Sequence, residues 1–365
     1  MAVDVLISIR PDQSASRLKT RTKGVGSDAA LGFLVRFGAI MVLVMMASLV
    51  FVLFRASLDS MREFGPKFLI TSNWRPNELE VTKRTADGKI VKDTDGEPIK
   101  EIIPAQFGAL PVIYGTAVSS VVALSLAVPL SLGAALFLIR IAPRLRPRLP
   151  NGWRVPVDVW TSFLIEFLAA IPSIAYGLWG LFVLVPFMQS HLEPGLNWIF
   201  GHVPGLGFMH ADALTGRDML TGSLVLGIMI VPIITAVSRD VLRAVPQAQI
   251  EGSLALGATW WQSCFEMLRY SRSGLFGAVM LGLARAAGET MAVTMVIGNI
   301  PNIKASPFAP AQTMSSLLAN EFSEASTKLH TSALLQVALI LLLMSLAFNI
   351  VARKLIVGKG GGVRG

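Results

Sequence analysis

Two charged residues stand inside an apolar stretch that reads Gly282-Leu-Ala-Arg285-Ala-Ala-Gly288-Glu289-Thr290-Met-Ala-Val-Thr294-Met-Val-Ile-Gly298-Asn299. An ionised group at mid-bilayer costs at least ~2.5–3.5 kcal/mol, so a charge in such a place marks a functional candidate. Arg285 and Glu289 are four apart and would share one helix face. Read one way, they are a self-neutralising pair that makes the helix insertable. Read the other way, Arg285 is a contact for a tetrahedral oxyanion, because its fork donates two parallel hydrogen bonds. Arg before Glu is the less favoured order for a supporting pair. Two leucines would give neutrality at a lower desolvation cost. Ala286, Ala287, Gly288 and Ala292 also leave room around the pair. Thr290, Thr294 and Asn299 either line a path or hydrogen-bond between helices. Glu166, in Phe163-Leu-Ile-Glu166-Phe-Leu, is a second candidate path residue, with a place at the inner interface as its alternative. Arg36 sits near the end of its apolar run and can snorkel.

Long apolar helices must position these groups. The chain of 365 residues is 53% hydrophobic and only 15% charged, with a mean hydropathy of +0.61. A soluble domain carries about 25% charge, so an ordinary soluble enzyme is excluded. About 20 helical residues cross the hydrocarbon layer. Six runs qualify: 31–54, 110–139, 160–188, 220–237, 274–298 and 331–352. The expected fold is all-α, a polytopic bundle of six transmembrane helices. Pro129, Pro172, Pro186, Pro232, Gly282 and Gly288 lie within the runs. Neighbouring helices can re-satisfy the backbone there, and small residues allow close approach. A disordered cytoplasmic tail is expected over 1–30 and a cytoplasmic tail over 356–365.

Net charge +9 and a pI near 10.0 would suit a nucleic-acid binder, but the distribution of charge fits membrane topology instead. The tail, 140–158, 238–273 and the stretch after Ala352 together carry 18 Lys and Arg; the alternate loops carry 12. Nine of those 12 lie in loop 55–108 beside nine acids. Short loops carry the positive-inside signal, so both termini are expected on the cytoplasmic side, with membrane lipid and no nucleic acid as surroundings. Within 55–108, strands around 79–83 and 89–92 are expected to flank a turn at Asp87-Gly88. The single cysteine, Cys264, excludes an internal disulfide framework. His191, His202, His210 and His330 lack metal-ligand spacing, so a membrane-embedded hydrolase is disfavoured and no cofactor is expected.

Between the fourth and fifth runs lies Arg239-Asp240-Val-Leu-Arg243-Ala-Val-Pro246-Gln-Ala-Gln-Ile-Glu251-Gly-Ser-Leu-Ala-Leu-Gly257-Ala-Thr-Trp260-Trp261. Pro246 suits a first helical turn; Glu251 would cap that helix and Gly257 would end it. Ile250, Leu254 and Leu256 are its apolar docking candidates. Such a helix lies on lipid or docks in a partner's groove. Glu251-Gly252-Ser253 followed by Gly257 resembles the Glu-Ala-Ala loop of ABC-importer permeases, although Gly252 and Ser253 replace the alanines and Met267-Leu-Arg269-Tyr270 replaces its Ile-x-Leu-Pro end. The Arg285–Asn299 stretch closely resembles phosphate-import permeases of the PstC type. So do Leu168-Ala-Ala-Ile-Pro172-Ser173 with Tyr176-Gly-Leu-Trp179-Gly180, and Leu318-Ala-Asn320-Glu321-Phe322 with Leu329-His330.

The resemblance implies a type I ABC importer permease fold over 109–355, preceded by a first helix at 31–54 and an extracytoplasmic loop at 55–108. It implies a bacterial inner-membrane assembly. Its other parts would be a second permease (PstA type), two copies of an ATPase (PstB type) docked on 239–273 through Glu251, Gly252, Ser253 and Gly257, and an extracytoplasmic phosphate-binding protein (PstS type). The chain carries no Gly-x₄-Gly-Lys-Ser/Thr loop, so ATP hydrolysis falls to a partner. Arg285, Glu289, Thr290 and Glu166 would line the substrate path. A sister PstA-type permease shares the Arg-Ala-x-Gly-Glu-Thr stretch, and a molybdate or sulfate permease shares the architecture; both remain alternatives.

Overall fold

A computed structural model describes residues 25–82, 100–145, 156–205, 207–211 and 213–357. The chain divides into two compact units, one ending at Val52 and one beginning at Leu53. The first unit holds most of α1 (Val25–Ala56), whose side chains Leu31, Phe33, Leu43 and Phe51 are all exposed, as a lipid-facing helix requires.

The second unit opens with two short helices, α2 (Leu58–Phe64) and α3 (Lys67–Ile70). An antiparallel strand pair follows, β1 (Leu79–Thr82) with β2 (Lys100–Ile103), in the register Leu79 opposite Ile103. The expected partner strand at 89–92 and its turn lie outside the described residues; β1 pairs instead with a segment further along the chain. Apart from this pair the regular elements among the described residues are helical. It continues with α4 (Leu110–Leu136), α5 (Val157–Ala170), a helix α6 (Ser173–His202) that includes π-helical turns, α7 (Met219–Arg243), α8 (Gln247–Ala255), α9 (Trp260–Tyr270), α10 (Arg272–Gly288), α11 (Met291–Val296), α12 (Met314–Glu321) and α13 (Lys328–Val357).

Helix α4 is the axis of this unit. Gly115, Ser119, Ala123, Ala127, Ser131 and Ala135 recur every four residues and are all buried. Small side chains at this spacing let backbones approach, which is how helices gain contact where lipid is as apolar as leucine. Along α4 three apolar cores follow one another. Val112 belongs to one with Phe68, Phe107, Met314 and Leu334. Ala123 and Ala127 belong to the largest, with Leu226, Ile230, Ala286, Ala292 and Val296. Ala135 belongs to the third, with Leu242, Ile250, Met267 and Leu275. Polar groups stitch the end that carries Val112: Ser60 Oγ donates to Gln336 Oε1 at 2.6 Å and Ser332 Oγ to the Ala56 carbonyl at 2.8 Å.

Among the described residues five helices are long and apolar enough to span a membrane: Ala30–Ala56, Leu110–Arg144, Ser173–His202, Met219–Arg243 and Lys328–Val351. Two of the six expected runs are broken. The run 160–188 breaks at Ile171, whose ψ of 130° is extended, so that the long helix begins at Ser173. Pro172 causes this, because its ring disfavours helical backbone in the residue before it. The Tyr176 hydroxyl donates to the Leu168 carbonyl at 2.8 Å across the break. The run 274–298 breaks at Glu289, which is also extended with ψ 129°. That second break makes the candidate site.

Candidate functional site

Gly288 weakens the helix end, and the residue after it takes over the capping of the next one. Glu289 Oε1 accepts from the Ala292 N–H at 3.3 Å, so the carboxylate satisfies a donor at the start of α11. A side chain that bonds backbone three residues on competes with helix continuation. Ser315 Oγ holds the Glu289 carbonyl at 2.9 Å, tying the break to α12. Glu289 is thereby fixed and 5% exposed. Arg285, on the last turn of α10, is not fixed in this way. Its Nη2 lies 3.6 Å from Glu289 Oε2, and its side chain is 47% exposed. A guanidinium has five N–H donors, and among the described residues Arg285 places none of them in a hydrogen bond. The site therefore pairs an anchored, buried carboxylate with a half-exposed and loosely held cation.

Thr290 stands beside the pair. Its hydroxyl donates to the Gly288 carbonyl at 3.3 Å, and Thr294 Oγ1 donates to the Thr290 carbonyl at 2.7 Å. Gly288, Thr290, Ser315, Leu318, Ala319 and Phe322 are among the residues lining an open cleft of about 480 Å³. Downstream, α11 ends in two consecutive left-handed residues, Gly298 at φ 94° and Asn299 at φ 54°. Asn299 Nδ2 donates to the Thr294 carbonyl at 2.6 Å, while the Ala311 N–H donates to the Ile297 carbonyl at 3.0 Å. This turn locks α11 against the loop that carries Ala311.

Glu166 has a different partner. Its Oε1 accepts from Arg239 Nη1 at 3.0 Å, and Arg239 Nε donates to Asp240 Oδ1 at 3.1 Å. Arg239 is 11% exposed, whereas Glu166 is 59% exposed. The bond joins α5 to the last turns of α7, and Arg239 is a residue that pattern reading did not single out. Nothing local marks it, since its partner lies 73 positions away. The corner between α6 and the start of α7 also holds unforeseen acids. Glu193 accepts from the Gly216 N–H at 3.2 Å, and Asp218 caps α7 by accepting from the Thr221 N–H at 2.8 Å. Burial holds the Asp218 carboxyl above its ordinary range. His330, one residue before the expected run 331–352, is buried on α13, where Nε2 lies 3.0 Å from Glu321 Oε2, which also accepts from Trp74 Nε1 at 2.8 Å.

The segment after α7 forms a helical pair. Pro246 caps α8 with an extended ψ of 134°, and Gly257 follows its end with φ 88°. Glu251 lies in mid-helix and does not cap it; Glu251 and Gly252 are exposed, and Ser253 Oγ donates to the Ile250 carbonyl at 2.7 Å. Ile250 points inward, 8% exposed, against Val245 and Met267, so it is not a docking residue. Leu254 and Leu256 are exposed, Leu256 at 91%. Thr259 and Gln262 form a reciprocal capping box that starts α9. Together α8 and α9 frame an open groove of about 1370 Å³, lined by residues including Gln249, Ser253, Leu256, Glu266 and Arg269.

Residues 149–356 match the family described as binding-protein-dependent transport system inner membrane component. A phosphate transport system permease protein PstC from Mesorhizobium japonicum is 37% identical over 94% of this chain and 94% of its own length. One from Pasteurella multocida is 40% identical over 88% of this chain and 89% of its own. Another, PstC 1 of Mycobacterium tuberculosis, is 34% identical over 82% and 84%. The inward-facing MetNI methionine ABC transporter superposes over 69% of this chain and 94% of its own, with a TM-score of 0.47 at 14% identity.

Proposed function

This chain belongs to the binding-protein-dependent transport inner membrane components, within their PstC group of phosphate transport permeases, and we propose that it forms half of a phosphate path in which Arg285 is the passing contact. A second permease completes the path, two ATPase subunits sit on the α8–α9 side, and an extracytoplasmic binding protein delivers phosphate. That side is cytoplasmic, as are both termini.

The observation that carries this reading is the asymmetry of the charged pair. A pair serving only to neutralise itself would close at hydrogen-bond distance. Here the closest approach is 3.6 Å and the guanidinium is half exposed, while the carboxylate is held from the other side by the Ala292 N–H. Arg285 can turn its fork to an oxyanion without stripping Glu289 of all its bonds. A path requires binding that is favourable enough to enter and weak enough to leave. Glu289 supplies that weakness by competing for the guanidinium.

Glu289 also supplies a test for protons. Phosphate at neutral pH still carries a P–OH that a carboxylate accepts, and sulfate has none. A site built to receive a donor rejects an analogue that lacks it. Glu289→Gln keeps an acceptor for Ala292 but loses the charge. Uptake of phosphate is expected to fall about tenfold, which is ~1.4 kcal/mol, and sulfate is expected to begin to compete. Unchanged uptake with no sulfate competition removes the carboxylate role.

Coupling has its own test. With Cys264 replaced by alanine, cysteines placed at 251, 252, 253, 256 and 257 are expected to cross-link to the ATPase subunit, with position 250 silent because Ile250 is buried. The absence of adducts from the exposed positions contradicts docking there and leaves α8 as a lipid-lying connector.

A further inference from the structure

Two arginines gather at the inner end of α4. Helix α4 passes into a π-helical turn, Phe137–Ile141, and a short 3-10 turn, Ala142–Arg144. These turns bring the Arg140 and Arg144 guanidinium carbons to 5.9 and 5.8 Å from the centroid of the Trp260 ring. Trp260 is the first residue of α9. Arg140 Nη2 donates to Ser263 Oγ at 3.2 Å, one turn further along the same helix. Arg140 Nε and Trp260 Nε1 are both buried and both lack a hydrogen-bond partner. Among the described residues no carboxylate pairs with Arg140 or Arg144.

This arrangement is costly as it stands. A guanidinium gains from an aromatic face, but two on one ring repel each other. Buried N–H groups without acceptors lose the hydrogen bonds they make with water. One group with several acceptor oxygens and negative charge, lying against the exposed side of the two guanidinium groups, offsets their repulsion. Tetrahedral oxyanions match guanidinium forks, and the start of α9 adds the positive end of a helix. We propose that Arg140, Arg144 and Trp260 form a binding site for a phosphate-type oxyanion at this end of the bundle, separate from Arg285. Its source is either the headgroup of an anionic phospholipid or inorganic phosphate released on that side. An occupant bridges α4 to α9 and so steadies the groove beside the coupling segment.

The test uses the assembled transporter carrying Arg285→Ala, so that the proposed path contact adds nothing. One arm measures equilibrium binding of radiolabelled inorganic phosphate in nanodiscs of phosphatidylcholine, without the extracytoplasmic binding protein. The other measures retention of phosphatidylglycerol by native mass spectrometry. One arm is expected to register an occupant, and that arm names the source. Arg140→Gln with Arg144→Gln is expected to weaken it about tenfold or more, and Trp260→Phe, which keeps an aromatic face for the guanidinium groups, to weaken it less. If the double variant does not assemble, Arg144→Gln alone decides, since Arg144 is exposed. No occupant in either arm, or binding indifferent to these substitutions, overturns the proposal. So does a variant that keeps the anion and sheds the ATPase subunit, because the arginines then serve a protein carboxylate.

Discussion

Arg285→Ala is expected to lower ATP-driven phosphate uptake about 100-fold while every subunit remains assembled. Hydrogen bonds to charged groups contribute about 1.5–3 kcal/mol each, so loss of a two-pronged contact at about 3 kcal/mol corresponds to two decades. The substitution deletes a side chain that is 47% exposed and makes no hydrogen bond among the described residues, but it leaves the buried Glu289 carboxylate without its cation, so uptake is compared only in transporter shown to be assembled. Arg285→Lys keeps the charge but not the planar fork, and a lysine is not a conservative replacement at a bidentate contact. An intermediate loss of about tenfold is expected from it. Uptake by reconstituted vesicles, with assembly verified by co-purification, checks both. Wild-type rates in Arg285→Ala would leave the pair with no role beyond neutrality.

The second large effect is structural. Gly298→Ala is expected to destabilise the site by about 3 kcal/mol or more and to deplete assembled transporter. The position has φ 94°, and an added Cβ would lie 2.6 Å from Pro310 Cβ and 2.9 Å from the Arg217 carbonyl oxygen. Left-handed backbone costs a residue with a side chain roughly 1–2 kcal/mol, and crowding a packed site adds about 1–3 kcal/mol. Neither neighbour can swing aside, since one is a ring and the other is backbone. Gly288→Ala is the matched control, because a Cβ there meets nothing within 4 Å. Thermal unfolding in detergent should separate the two variants, with Gly298→Ala lower in Tm and Gly288→Ala near wild type. Equal stability would contradict the locking role of this turn.

Composition and periodicity locate the apolar runs because hydrophobic length is a property of the sequence itself. Continuity of those runs is not. Pro172 and Gly288 are both tolerated within membrane helices when neighbours supply hydrogen bonds, so neither announced a break. The break appears only with Tyr176 reaching back to Leu168 and Glu289 turning to Ala292. The four-residue spacing of Arg285 and Glu289 correctly brings them together, although Glu289 lies beyond the helix end rather than on its face. Its motif, an acid after a glycine with a free N–H three residues on, is a capping signal that local reading can recover. Arg239 is not recoverable in that way, because Glu166 reaches it through tertiary packing alone. The same holds for β2, whose pairing with β1 closes over a long intervening segment, and for Trp74 and His330 meeting at Glu321.

The most direct measurement is a structure of the complete transporter, bound to its phosphate-binding protein and a non-hydrolysable ATP analogue, with phosphate present. The Arg285 fork is expected to line a water-filled passage, with an oxyanion within about 3 Å of its nitrogens. A guanidinium enclosed by apolar side chains, or turned to lipid headgroups, both there and in the nucleotide-free form would contradict it.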